Sequence, residues 1–360
     1  GRDASSTPSL LKHASKLLPG WKIHRIRVKD ITFVVLDSSD LNNNNKGVVV
    51  MLHGFPDNSL YHYKVGKILV EKGYRVVLPS LPGYDSSSVT ASTKDKSIKA
   101  VADTLTNVLK SIQVNRFHLV GHDWGSSIAS EIAIRNQDSV QSLTLSAVPY
   151  NTELGFARFP QQFRYSWYFT LFQLPFIPEL WLSKFNGLKW LWMSWSPNLN
   201  SKPEFFDSDP FWQSLLDTFE QPGVAADALN YYRKNLGQGS FMVRALFPLL
   251  WWLGYLIGLL KKRPIQTSPI EESEVKRFLK RPPLKMPVLA LIGENDGCFF
   301  PPLFRYVHSR DGGSERLFLN TSLCKTIQGA GHFSFIEQPE IVSQHLLELF
   351  ELPSCGNSSL

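Results

Sequence analysis

Nine residues, Phe117 to Gly125 (FHLVGHDWG), restrict the possible folds of this chain more than any other stretch. An apolar, strand-like run ends in Gly121-His122-Asp123-Trp124-Gly125, and the helix-like Ser126 to Arg135 follows at once. So sharp a turn from strand into helix crowds backbone against backbone, which requires small residues on both sides, here Gly121 and Gly125. The central side chain, Asp123, is thereby lifted out at the carboxyl edge of a sheet. A carboxylate there sits at a helix N-terminus, where the dipole and the free N–H groups favour its ionised, nucleophilic form. The competing reading is an Asp that only caps its own helix.

The rest of the chain supplies the sheet that this turn needs. Short β-branched runs at Arg25–Val28, Ile31–Asp37, Val48–His53, Arg75–Pro79, Phe117–Gly121 and Val140–Ser146 alternate with helical periodicity, the pattern of parallel strands joined by helices. Lys96 to Ile112 places Ile98, Val101, Leu105, Val108, Leu109 and Ile112 on one helical face, which predicts packing against the sheet. Ser38 to Gly47, with its Asn42 to Asn45 run, reads as a solvated turn. From about Pro149 to Pro283 the chain is dense in Trp, Phe, Tyr and Pro with helical patterning. Strand patterns then resume at Pro287–Gly293 and Cys324–Ile327 before a final helix near Ile336–Phe350. An α/β core interrupted after its sixth strand by a helical insertion is the expectation. With 360 residues, 43% apolar and 19% charged, the chain can bury a core of that size in one large domain or two.

Charge and cysteine usage exclude several function classes. A formal charge of +7 is spread along the chain, which sets nucleic acid aside as a partner. Cys298, Cys324 and Cys355 show no CxxC spacing, so neither a zinc site nor a disulfide framework is expected, and a reducing, cytoplasmic setting is the default. The sequons at Asn320 and Asn357 do not outweigh this. Because the chain begins at Gly1 and not Met, the lack of a signal peptide says nothing about a targeting or anchor segment ahead of it.

Three further motifs fall where chemistry would need them. His53-Gly54-Phe55-Pro56 follows the third strand, where the Phe55 N–H and the Trp124 N–H can form an oxyanion hole; a plain Gly-Pro turn is the alternative. Leu291-Ile292-Gly293-Glu294-Asn295-Asp296 and Gly329-Ala330-Gly331-His332-Phe333 each leave a strand with a polar side chain just beyond it. Singly, Asp296 could cap the turn into Pro301–His308 and His332 could be a satisfied loop histidine. Together, Asp123, Asp296 and His332 give the order nucleophile, acid, histidine.

These motifs resemble the α/β-hydrolase superfamily, with Asp where a nucleophile elbow more often has Ser, and in particular its epoxide hydrolase branch. His53, Gly54, Pro56, Gly121, His122 and Gly125 carry the HGFP and GHDWG patterns around Phe55, Asp123 and Trp124. Two stretches of the aromatic insertion extend the resemblance, Ser166-Trp167-Tyr168 leading into Phe172-Gln173-Leu174-Pro175, and Leu229-Asn230-Tyr231-Tyr232-Arg233. The resemblance implies a mostly parallel eight-stranded sheet flanked by helices, with core residues 1–149 and 285–360 and a helical cap over 150–284. It also implies that Tyr168 and Tyr232 are paired ring-opening tyrosines, with Tyr165 and Tyr231 as alternatives. On that pattern Asp123 attacks an epoxide carbon while the two phenols bind the oxygen, and His332, oriented by Asp296, activates water against the resulting ester. The product is a vicinal diol, and neither a metal nor an organic cofactor is required.

Two dehalogenase patterns compete. Haloalkane dehalogenases share the Asp nucleophile but resemble HGNP at the first loop, where this chain has Phe55; fluoroacetate-type enzymes share HGFP but resemble HDRG at the elbow, where this chain has Trp124. A hydrolase-fold binding protein without turnover is the third reading. One stretch departs from the family pattern, the uncharged 16-residue run Ala245 to Leu260, followed by Lys261, Lys262 and Arg263. It is shorter than the ~20 residues that span a bilayer. It reads as a buried cap helix or, at 245–263, as a peripheral membrane contact delivering a lipophilic epoxide. Leu81-Pro82-Gly83-Tyr84-Asp85 also departs, lacking a Gly between Tyr and Asp. The specific epoxide, its regioselectivity and the oligomeric state are not legible.

Overall fold

The computed structural model describes residues 9–28, 31–41, 45–89, 96–159, 161–235, 256, 269–271, 273 and 281–352. The apolar run 245–260 and its basic flank to 263 lie outside the described residues, apart from Leu256, as do Cys355 and Asn357. No described helix is long and apolar enough to cross a membrane.

Eight strands form one sheet: β1 (Lys22–Val28), β2 (Ile31–Asp37), β3 (Val48–Leu52), β4 (Arg75–Pro79), β5 (Phe117–His122), β6 (Val140–Ser146), β7 (Val288–Gly293) and β8 (Ser322–Ile327). Their order is β1-β2-β4-β3-β5-β6-β7-β8. From β4 onward every pairing is parallel, whereas β1 pairs antiparallel with β2, and β2 with β4. The sheet is thus mostly parallel, as expected, with its antiparallel part at the beginning. Two residues separate β1 from β2, too few for the crossover that a parallel pair requires.

The central strands are covered on both faces, and their sequences show it. All residues of β5 and β7 are buried, as expected where both faces of a parallel sheet are covered. Edge strand β1 keeps only alternate positions partly sheltered. The helix Ile98–Ser111 buries Val101, Ala102, Leu105, Val108 and Leu109, and the Ser97 hydroxyl caps it by accepting from Ala100 N.

Between β6 and β7 the described chain is helical, from Thr152–Arg158 through Val224–Asn235. The aromatic richness of this insertion is explained by where it packs. Trp192 stacks on Phe333 with ring centroids 3.5 Å apart, and its indole N–H donates to Pro56 O at 3.1 Å. Trp195 lies against Tyr168 and His332 at 4.7 and 5.3 Å. The aromatic residues therefore form the seam between insertion and sheet, over the carboxyl ends of β3, β5 and β8.

Candidate active site

The site begins with three glycines that bring the loop after β3 against the turn after β5. A Cβ on Gly121 would stand 2.3 Å from Gly125 O, one on Gly125 2.2 Å from Leu52 O, and one on Gly54 2.4 Å from the Asp123 Cβ. Only hydrogen fits at each position. Asp123, at the crest, has φ +51°, a left-handed conformation that costs a non-glycine residue strain. Ser126 Oγ holds the turn: it lies 2.7 Å from Gly121 O and 2.8 Å from Ser146 O, to one of which it donates, and it accepts from Ser146 N at 2.9 Å. His53 fixes the facing loop: its Nε2 accepts from Leu81 N at 3.0 Å, which leaves Nδ1 to donate to Gly54 O at 3.0 Å.

Asp123 makes no side-chain cap to its own helix. Its Oδ1 instead accepts from Phe55 N at 2.8 Å, with the Trp124 N–H also favouring its charge. The carboxylate thus rests in the pair of donors read from the sequence. Burial is the strongest influence and raises the Asp123 pKa above its ordinary value, against the opposing pull of His332, His122 and the two N–H groups.

His332 Nδ1 faces Asp296 Oδ2 at 3.0 Å, and its Nε2 lies 3.8 Å from Asp123 Oδ2. Asp296 serves two sets of partners, because its other oxygen accepts from Cys298 N and Phe299 N at 2.8 Å each, capping the turn. Burial pulls the His332 pKa down, but Cys298 and the hydrogen-bonded Asp296 outweigh it and hold the imidazole well above its usual value. Burial pushes the Cys298 thiol up to about 11, so a neutral thiol stands beside the imidazole.

Tyr168 and Tyr232 face Asp123 across a cavity of about 260 Å³, lined also by Trp124, Phe169 and Phe299. Their rings meet edge to face at 5.8 Å, and Tyr232 packs against Trp124 at 5.0 Å and Phe55 at 5.2 Å. Burial raises both phenols well above their ordinary pKa, so each keeps its proton. The alternatives lie elsewhere: Tyr231 donates to Pro82 O at 3.0 Å, and Tyr165 packs on Phe300 at 5.3 Å.

Two features are not legible from the sequence as parts of the site. Cys298 Sγ sits 3.1 Å from Tyr168 Oη, and ligand-type atoms of Cys298, Asp123 and His332 lie within 4.8 Å of one another, the one grouping among the described residues that could hold a metal ion. Its position two residues beyond Asp296 is the available signal. Beneath the site, His122 Nε2 lies 3.0 Å from His332 O, so it donates there, and its Nδ1 shares a proton with Asp57 Oδ2 at 3.1 Å. Burial raises Asp57 to about 8 and lowers His122 to about 3, so the buried pair stays uncharged. Asp57 directly follows His53-Gly54-Phe55-Pro56, which places it in view without indicating its partner.

Comparison with known proteins adds the following. A family model described as alpha/beta hydrolase fold matches residues 47–339. Epoxide hydrolase 3 of Xenopus tropicalis is 33% identical over 237 residues, covering 63% of this chain and 63% of that protein. Epoxide hydrolase 4 of Mus musculus is 30% identical over 193 residues, covering 52% of this chain and 53% of that protein. The matched stretch is therefore less than two thirds of either relative's length. A mutant form of an epoxide hydrolase from Bacillus megaterium superposes with a TM-score of 0.67 at 20% identity, covering 91% of this chain and 100% of that one, a likeness of fold.

Proposed function

We propose, from the premise that this chain belongs to the alpha/beta hydrolase fold family, that it is an epoxide hydrolase which adds water to a lipophilic epoxide through an ester on Asp123. The division of labour we infer is a core of residues 1–149 and 285–360 that carries Asp123, Asp296 and His332, and a lid of residues 150–284 that carries the two tyrosines. The observation that carries the reading is the meeting, at one cavity, of an Asp carboxylate with two buried, protonated phenols. A halide leaving group needs N–H donors; an epoxide oxygen needs an acid.

Asp123 Oδ1 is held by the Phe55 N–H, so Oδ2 is the oxygen free to attack an epoxide carbon. As that bond forms, the ring C–O bond breaks and its oxygen takes a proton from Tyr168 or Tyr232. The ester removes the Asp123 charge that stood 3.8 Å from His332 Nε2. Loss of that charge makes the imidazole hold its proton less tightly, which favours its action as a base in the second step. His332 takes a proton from water, the hydroxide attacks the ester carbonyl, and the oxyanion forms on Oδ1 against Phe55 and Trp124 N–H. The departing diol oxygen receives the proton from His332, and the phenolate recovers its own from the regenerated Asp123 carboxyl.

Diol release and halide release from matched panels of lipophilic epoxides and haloalkanes test the assignment. Diols without halide are the expected result. Halide release with inert epoxides would transfer the assignment to a dehalogenase, and inertness to both panels would favour a binding protein.

A further inference from the structure

Tyr232 can act on a substrate oxygen only if its helix, Val224–Asn235, is fixed relative to Asp123, and its own contacts are ring against ring, with Phe172 at 4.9 Å beside Trp124 and Phe55. Such contacts tolerate sliding. The neighbouring face of the helix behaves differently. Asp227, Tyr231 and Asn235, at helical spacing of four, all present polar atoms to two core segments, residues 82–83 and 96–98. Tyr231 donates to Pro82 O at 3.0 Å; Asn235 Nδ2 donates to Lys96 O at 3.0 Å and its Oδ1 accepts from Ile98 N at 3.2 Å. At the centre the Lys96 ammonium stands 3.2 Å from Asp227 Oδ2, the two side chains 4% and 6% exposed, and 5.9 Å from the Tyr231 ring centroid. The approach is so close that a Cβ on Gly83 would meet the Asp227 Cβ at 2.8 Å and the Lys96 Nζ at 3.0 Å, and Gly83 has φ +93°.

A buried ion pair contributes little net stability over an apolar pair of similar volume, because desolvation offsets the Coulombic gain. What it does supply is a fixed length between two points, which an apolar stripe lacks. The same helix reaches the Tyr168 side of the lid through Arg233, which pairs with Glu179 at 2.7 Å and donates to Phe172 O at 2.9 Å. Lys96 is thus the charged link from core to a helix that itself braces the segment following the second tyrosine.

We propose that Lys96 and Asp227 are positioning residues for the ring-opening step, setting the height of Tyr232 over Asp123 through the helix they anchor. The proposal rests on the reading of Tyr232 as an acid in epoxide opening. Its consequence is selective. Ester formation depends on Tyr232, whereas ester hydrolysis depends on His332 and Asp296, which this helix does not carry.

The test is a cycle of Asp227→Asn and Tyr232→Phe, singly and together, followed by acid-quench mass spectrometry of the Asp123 ester in a single turnover of an epoxide. Asp227→Asn is expected to slow ester formation by about 10- to 100-fold, the scale of an ångström of misplacement, with ester hydrolysis within about twofold of wild type. In the Tyr232→Phe background it should slow ester formation no further. Equal slowing of both steps, or the same slowing in the Tyr232→Phe background, would overturn the positioning role while leaving the epoxide hydrolase reading in place. Ester formation at the wild-type rate in Tyr232→Phe alone would overturn the acid role and the pair's role with it. Should Asp227→Asn fail to fold, Lys96→Met/Asp227→Leu removes both charges and leaves none buried alone, and the same cycle is read from it.

Discussion

Gly125 is a helical residue, so Ala there would ordinarily stabilise the chain by up to about 1 kcal/mol. The structure predicts the opposite sign. An added methyl would meet Leu52 O at 2.2 Å and His53 O at 2.6 Å, both backbone atoms that no rotamer change can remove. Relief requires the end of β3 and the elbow to separate from 2.2 Å to about the 3.4 Å at which ordinary contact begins, an opening of about 1.2 Å. Overpacking of this kind costs about 1–3 kcal/mol, which cancels or exceeds the helix-propensity gain. The Phe55 N to Asp123 Oδ1 bond of 2.8 Å spans the same gap and would lengthen to roughly 4 Å, beyond hydrogen bonding. Loss of one oxyanion donor costs about 10²–10³-fold in rate. Urea unfolding of Gly125→Ala should therefore show no gain and a net loss of up to about 2 kcal/mol, and single-turnover hydrolysis of the Asp123 ester should slow by about 100-fold or more. A variant more stable than wild type that hydrolyses the ester at an undiminished rate would refute this account of how the two loops meet.

Tyr168→Phe and Tyr232→Phe should each slow ester formation by about 10²-fold while leaving circular dichroism and ester hydrolysis unchanged; full activity in either variant would show that the wrong phenol has been assigned. Stability should also depend on pH through Asp57. A carboxyl whose folded pKa of about 8 stands above its ordinary 3.8 contributes stability fully below about 3.8 and loses it as pH rises through about 8. Asp57→Asn keeps a neutral partner for His122, with the amide donating to Nδ1, so the fall in unfolding free energy between pH 5 and pH 8 should shrink. An unchanged or steeper fall would mean that Asp57 does not hold its proton in the fold.

The parts of the fold legible in sequence are those with punctuation. Arg75–Pro79 and Val140–Ser146 are legible with the bounds they have, since turn residues or helix ends flank strand-patterned runs that the sheet buries. β1 begins earlier than its apolar pattern does, at Lys22, because an exposed edge strand mixes Lys22, His24 and Arg27 among its apolar positions and shows no continuous run. The order that sets β4 outside β3 leaves no trace in periodicity. Within the site, Asp123, Asp296 and His332 stand out because each lies in the loop just beyond a strand, and β5, β7 and β8 end on the same side of one sheet. Cys298, the Asp57–His122 pair and the Lys96–Asp227 pair do not, since each joins loops or helices far apart in the chain by packing alone. Capping by Asp296 and its pairing with His332 are alternatives in sequence; two carboxylate oxygens let one residue do both.

The central claim is that Asp123 carries an ester whose removal needs His332. Intact-mass measurement of His332→Gln after incubation with lipophilic epoxides, followed by peptide mapping, tests it most directly. A gain equal to the whole epoxide, located on Asp123, is the predicted result. A gain of an alkyl group alone from a haloalkane panel, or an epoxide adduct on another residue with Asp123 unmodified, would contradict it.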